Sequence, residues 1–208
     1  MRTFRAEDGV IRVSYDGYPD GFKKRFGHLA YRTPFSSYRL RFEFRVVGQS
    51  MTDVESWQQS NSGVMLHGQA PETMSKDQSF PVSIEVQLLG AERQDRAPTA
   101  NLCTPGTNVV MGGKLETTHC INSNSPIVPN ERWTKIEITV DREGNFTHFV
   151  DGVQVMTYGR AQYDPTDPDA QKLIKAAAGK LELRNGYIYL QSEGHPVEFR
   201  NVELQKLD

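Results

Sequence analysis

The chain has 208 residues, of which 37% are hydrophobic, 10% aromatic and 24% charged, enough to bury a sizeable core in one domain spanning 1–208. Its 24 Lys and Arg against 26 Asp and Glu leave a formal net charge of −2, so no global field draws in nucleic acid or an anionic membrane surface. No apolar run approaches the roughly 18 residues of a membrane span, the opening Met1-Arg2-Thr3-Phe4 carries no secretion-signal core, and 17 Gly with 11 Pro are too few for a fibrous or disordered chain.

Taken from the N-terminus, the dominant signal is a period of two. Val10–Tyr15 is a first strand candidate, followed by Tyr38–Val46, where apolar and charged residues alternate over nine positions. Residues 1–45 hold ten Lys and Arg against five Asp and Glu. Because Arg39, Arg41 and Arg45 alternate with Leu40, Phe42 and Phe44, that excess reads as one solvated strand face rather than an anion patch. Gly48–Asn61 is irregular, Gly63–His67 and Val82–Leu89 read as strands, and Gly90–Gly113 is a second long irregular stretch. Trp133–Val140 alternates again. Phe146–Val150 and Val153–Tyr158 flank Asp151-Gly152, a pair that tolerates the positive φ of a type I′ hairpin turn. A single helix is expected over Pro168–Ala178, with Asp167 as cap, Pro168 in the first position and Gly179 at the end. Lys180–Leu183, Tyr187–Gln191 and Val197–Leu204 complete the strands. Val197 and Phe199 share a parity that Val202 and Leu204 break, which predicts a β-bulge near Arg200-Asn201. Many antiparallel strands and one helix predict an all-β two-sheet sandwich or jelly roll.

Chemistry concentrates on a few positions. In Ser83-Ile84-Glu85-Val86-Gln87-Leu88, Glu85 and Gln87 project side by side from a strand apolar enough to be central. His67 ends a strand before a glycine and a polar loop, where an imidazole serves as acid, base or donor. His119 stands beside Cys120, and His195 lies in the turn Glu193-Gly194-His195-Pro196. His28 and His148 read as ordinary strand residues. Cys103 and Cys120 flank a Gly/Pro/Thr/Asn-rich stretch, and their spacing fits either a disulfide or two buried thiols. No CxxC or HxxxH spacing suggests zinc. No GxSxG elbow, HExxH, P-loop or dinucleotide fingerprint is present. Glu85 has no carboxylate at i+2 or i+4, and only Glu92 or Asp95 in the next loop could supply one. Two-carboxylate glycoside hydrolysis is therefore disfavoured.

Several segments, in order, resemble the 3-keto-disaccharide hydrolase domain family of the concanavalin A-like superfamily. They are Glu7-Asp8-Gly9-Val10-Ile11-Arg12-Val13, Tyr38–Arg45, Asn61-Ser62-Gly63-Val64, Ile84-Glu85-Val86-Gln87 and Glu131-Arg132-Trp133-Thr134-Lys135-Ile136-Glu137. Val150-Asp151-Gly152-Val153, Gly186-Tyr187-Ile188-Tyr189-Leu190-Gln191 and Pro196–Val202 follow. The resemblance runs from about Phe4 to Leu207. It implies a jelly roll of two curved antiparallel sheets with an oligosaccharide or glycoside ligand on the concave face. It also implies secreted, periplasmic or lipoprotein-anchored bacterial relatives, which favours a Cys103–Cys120 disulfide. The implied activity is cleavage of glycosides oxidised at carbon 3. A ketone there acidifies the proton on carbon 2, so the group on carbon 1 leaves by elimination and water then adds. That route needs one base, one proton donor and enolate stabilisation. It assigns Glu85 and His67, in either order, as base and acid, Gln87 and Gln191 as donors to the sugar, Tyr189 as a ring-packing surface, and His119 and His195 as further substrate contacts. No cofactor is required, although a divalent metal on Glu85 and a histidine is compatible with it. The chain departs from the family in three ways. His67 stands where relatives often carry arginine, and Glu193-Gly194 stands where many carry His-Gly. The usual opening strand is missing before Phe4. A non-catalytic carbohydrate-binding module and a laminarinase-like hydrolase are the competing readings.

Overall fold

The computed structural model describes residues 2–207. Its strands are β1 Phe4–Glu7, β2 Val10–Val13, β3 Gly27–Ala30, β4 Tyr38–Val46, β5 Asn61–Gly68, β6 Ile84–Leu89, β7 Asn101–Cys103, β8 Thr107–Met111, β9 Lys114–Glu116, β10 Cys120–Ile121, β11 Thr134–Val140, β12 Asn145–Val150, β13 Val153–Tyr163, β14 Tyr187–Ser192 and β15 Val197–Lys206. One α-helix among the described residues, α1 Pro168–Ala176, lies between β13 and β14. A nine-stranded sheet runs β1-β2-β15-β4-β11-β12-β13-β8-β9, and a six-stranded sheet runs β10-β7-β6-β5-β14-β3. Every pairing is antiparallel. The chain is thus an all-β jelly-roll sandwich with one short helix.

Alternation decides which side chains enter the sandwich. From the larger sheet Leu40, Phe42, Phe44, Ile138, Phe146 and Phe199 point inward; from the smaller, Val64, Leu66, Ile84, Val86, Leu88, Leu102 and Leu190 meet them. The intervening arginines stay outside and find partners. Arg39 and Arg41 reach Glu137 at 3.4 and 2.5 Å, while Arg12 and Arg45 converge on Glu198 at 2.8 and 2.6 Å. The solvated strand face is therefore an ion-paired one.

Local geometry follows the residue chemistry. Asp151 and Gly152 both take positive φ, 49° and 83°, in the β12–β13 turn. The Asp167 carboxylate accepts the Asp169 and Ala170 amides at 2.9 and 2.8 Å, capping α1. The register of β15 against β4 steps by one residue between Arg200 and Glu203, with Asn201 at φ 51°. That is the predicted bulge. Two expectations change. Lys180–Leu183 is no strand but a single bridge, Gln162 to Glu182, because the chain has just left the helix through Gly179. The stretch 90–113 contains β7 and β8, strands of three and five residues. They are too short to show a period, and pairing to β6 and β13 defines them.

Candidate functional site

The six-stranded sheet has an outer face that is not solvated like the other. Register fixes its members. Glu85 on β6 lies opposite Met65 on β5 and Cys103 on β7, Gln87 lies opposite Gly63 and Asn101, and Tyr189 on β14 lies opposite Met65. On the far side His28 of β3 pairs with Gln191 of β14. Alternation thus places Glu85, Gln87, Asn101, Gln191, Tyr189 and His28 on one face. Gly63 lies at its centre. A Cβ there would collide with Glu85 Oε1 and stand 2.9 Å from Gln191 Oε1, so only glycine lets the β6 carboxyl and the β14 amide converge over β5.

Loops wall this face into a cavity of about 510 Å³ lined by Glu85, Gln87, Asn61, Arg93, Glu193 and His119, with Trp57 and Phe80 as its aromatic surface. Trp57 is 45% exposed and stacks on Phe26 at 6.3 Å with a 16° interplanar angle; Phe26 in turn meets Phe80 at 4.7 Å. The polar groups are underused. Both amide atoms of Gln191, Asn61 Oδ1, Glu193 Oε2 and His28 Nε2 are buried without a hydrogen-bond partner, an uncommon state unless a ligand or water completes it. Gln87 Oε1 accepts from Asn101 Nδ2 at 3.2 Å. Arg93 is held by Asp95 through two bonds of 2.9 and 2.8 Å, and donates to the carbonyls of Trp57 and Gln59 at 2.7 and 2.6 Å.

Burial sets the protonation. Glu85 is 7% exposed, and desolvation pushes its carboxyl up to about 8. Glu193 is 2% exposed; burial and the Glu85 charge push it well above the ordinary carboxylate range, with Arg93 opposing. Desolvation lowers His28 to about 4, so it stays neutral near pH 7. Cys103 and Cys120 are joined, with their Cα atoms 4.2 Å apart. The disulfide lines the same cavity and ties the β7–β10 edge. Among the described residues, no group of three or more His, Cys, Asp or Glu is arranged to hold a metal ion.

Residues 2–205 match the 3-keto-alpha-glucoside-1,2-lyase-like domain. The chain belongs to this family. No curated protein matches it. Among solved structures it is similar to a candidate glycosyl hydrolase from Parabacteroides distasonis, with 14% identity, TM-score 0.60, and coverage of 99% of this chain and 91% of that one. It is also similar to the carbohydrate-binding module CBM66 from Bacillus subtilis, with 10% identity, TM-score 0.56, and 98% and 91% coverage. A family 7 alginate lyase, A1-II′, aligns with 9% identity, TM-score 0.51, and 100% and 84% coverage. At these identities the likeness is one of fold.

In this lyase-like domain the residues singled out from sequence do not all meet. Glu85, Gln87 and His119 line the cavity, and Gln191 reaches Glu85 over Gly63. Tyr189 shares the face but is sealed: its ring fills the space that Gly68 leaves, and its hydroxyl donates to the Gln69 carbonyl. Trp57 and Phe80 supply the aromatic surface instead. His67 is not brought to Glu85. Between Tyr187 and Tyr189 the β14–β5 register slips by one residue, and His67 takes φ 48°. That bulge turns its ring inward onto Tyr38 and Phe146, 6.0 and 5.1 Å away, and Nε2 donates to the Ser36 carbonyl at 3.2 Å. His195 belongs to a neighbouring cavity with Glu92, its Nδ1 accepting the Ser60 amide at 3.0 Å. Of the two loop acids that could have supplied a second carboxylate, Glu92 lines that other cavity, and Asp95 lines the Glu85 cavity but is paired with Arg93. Glu193 and His28, like Trp57, Phe80, Arg93 and Asn101, escaped sequence reasoning. Glu193 sits in a turn where only the pairing of β14 shows its direction. His28 lies on a four-residue strand with a weak pattern.

Proposed function

We propose that this chain is a carbohydrate-active enzyme that cleaves 3-keto-glycosides by elimination and hydration. The observation that carries the reading is Glu85, a buried carboxyl at the floor of an aromatic-walled cavity, with the amide of Gln191 and the Oδ1 of Asn61 unpartnered on its own side. Such groups suit sugar hydroxyls, and their pairing only in the bound state would give orientation. The family to which the chain belongs supports a sugar substrate, and a near-neutral cavity of carboxamides suits an uncharged one. In its ionised form, which gains population as pH approaches 8, Glu85 takes the proton from carbon 2, and Gln87 and Gln191 hold the adjacent oxygens. An aromatic wall at Trp57 and Phe80 covers the apolar face of the ring. The disulfide supports an extracytoplasmic setting, since such bonds persist in oxidising compartments.

The test is incubation of the protein with matched 3-keto and unoxidised disaccharides, with product analysis. Cleavage of only the oxidised sugar is expected. Glu85→Gln should remain folded and lose roughly 10²–10⁴-fold in rate, the span of a general base. A binding-only role for the same face predicts similar affinity for both sugars and no product, and wild-type turnover by Glu85→Gln would end the assignment of Glu85.

A further inference from the structure

Glu193 is the least explained group in the cavity. Its backbone is tightly fixed: its carbonyl accepts Gln58 Nε2 at 3.1 Å, and the following Gly194 amide is held by the Tyr15 hydroxyl at 2.7 Å. Its carboxyl is not. Oε2 is buried without a partner, and the residue lines the same cavity as Glu85. A carboxyl kept for stability would have its oxygens satisfied. The charged and titratable groups around it are Glu85 from β6, Arg93 and Asp95 from the loop after β6, His119 before β10, and Tyr15 packed behind. Arg93 is the cation on this list, and its guanidinium is already committed to Asp95 and two carbonyls.

We propose that Glu193 is a second catalytic carboxyl group, which forms with Glu85 a pair carrying one proton through the reaction. The inference rests on the 3-keto-glycoside reading. Two carboxyl groups buried in one site do not both ionise readily, so a one-proton state supplies a base and an acid together. Ionised Glu85 removes the proton from carbon 2. The C–H electrons form the carbon 1–carbon 2 double bond, the bond from carbon 1 to the glycosidic oxygen breaks, and protonated Glu193 gives its proton to that oxygen. Water then adds its oxygen to carbon 1 and passes a proton to ionised Glu193, while protonated Glu85 returns its proton to carbon 2. The pair ends as it began, with no external acid or base consumed.

The experiment follows two events with a 3-keto-α-glucoside in D2O, hydrogen exchange at carbon 2 and release of the leaving group. Wild type should do both. Glu193→Gln should keep exchange, lose about 10²–10⁴-fold in release, and lose the alkaline limb of its pH–rate profile. Glu193→Asp, still titratable, should recover part of the release with that limb. Release at the wild-type rate with an unchanged profile in Glu193→Gln overturns the proposal. If wild type neither exchanges nor releases, the 3-keto reading fails, and the pair is judged alone by ¹³C NMR titration of the Glu side-chain carboxyls. Glu85→Gln should then move the Glu193 titration to lower pH, and an unmoved curve defeats the pairing.

Discussion

A single missing side chain allows the site to exist. Gly63 sits where Glu85 and Gln191 lean over β5 from either side, and any Cβ there displaces one of them. Gly63→Ala should therefore cost about 1–3 kcal/mol of overpacking and reduce sugar affinity and turnover, measured by thermal melting and calorimetric titration. Unchanged affinity would show that Gln191 and Glu85 do not need to converge. The Asn-Ser-Gly signature and the Glu-x-Gln strand were legible in the sequence, since alternation alone puts Glu85 and Gln87 on one face. Glu193 was not legible. A carboxylate in a Glu-Gly-His-Pro turn has no parity, and its approach to Glu85 depends on β14 lying one strand beyond β5. His67 misled for a related reason: a one-residue bulge reverses the side that alternation assigns, and nothing in Met65-Leu66-His67-Gly68 announces it.

At the scale of elements, the hairpin, the helix cap and the β15 bulge were readable because each rests on residue types with local conformational preferences. The short strands β3, β7 and β10 were not. They exist because partners offer hydrogen bonds, and two to four residues carry too little pattern to show it. The Cys103–Cys120 bond reinforces the weakest of them, joining the three-residue β7 to the two-residue β10. Replacing both cysteines with serine should lower stability by roughly 3 kcal/mol in the chain-entropy model for a loop of this size, read as a denaturant midpoint. Because Cys103 is in register with Glu85, activity should fall with it. In α1, Asp167→Ala should cost about 1 kcal/mol and leave turnover intact, since the helix lines none of the Glu85 cavity.

For the whole molecule, burial of titratable groups sets a pH optimum of stability. His28, His67, His148 and His195 are held neutral, each lowered to about 4 by desolvation. In the unfolded chain a histidine titrates near 6.5, so the stability these residues contribute is present above that value and is lost as pH falls towards 4. Glu85 works in the opposite sense. It keeps its proton in the folded state to about pH 8, whereas the unfolded chain releases it in the ordinary carboxylate range, so stability drains as pH rises through 8. Four histidines outweigh two carboxyls on the acid side, and the carboxyls alone act on the alkaline side. Thermal melting from pH 4 to 9 should peak near pH 6.5 and decline in both directions; a steady rise to pH 9 would contradict the burial of Glu85 as a neutral acid.

A two-residue period is enough to specify a sandwich, because it sorts side chains to opposite faces whatever the strand order. It also placed Glu85 and Gln87 together, and the family resemblance favoured the Cys103–Cys120 bridge. Which strands lie side by side, and with that the company Glu85 keeps, is fixed only on folding. Strand order is set by hydrogen bonding and packing between segments more than a hundred residues apart, as when β14 joins β5. No local pattern encodes the result, so Glu193 and His28 reached the site through assembly alone.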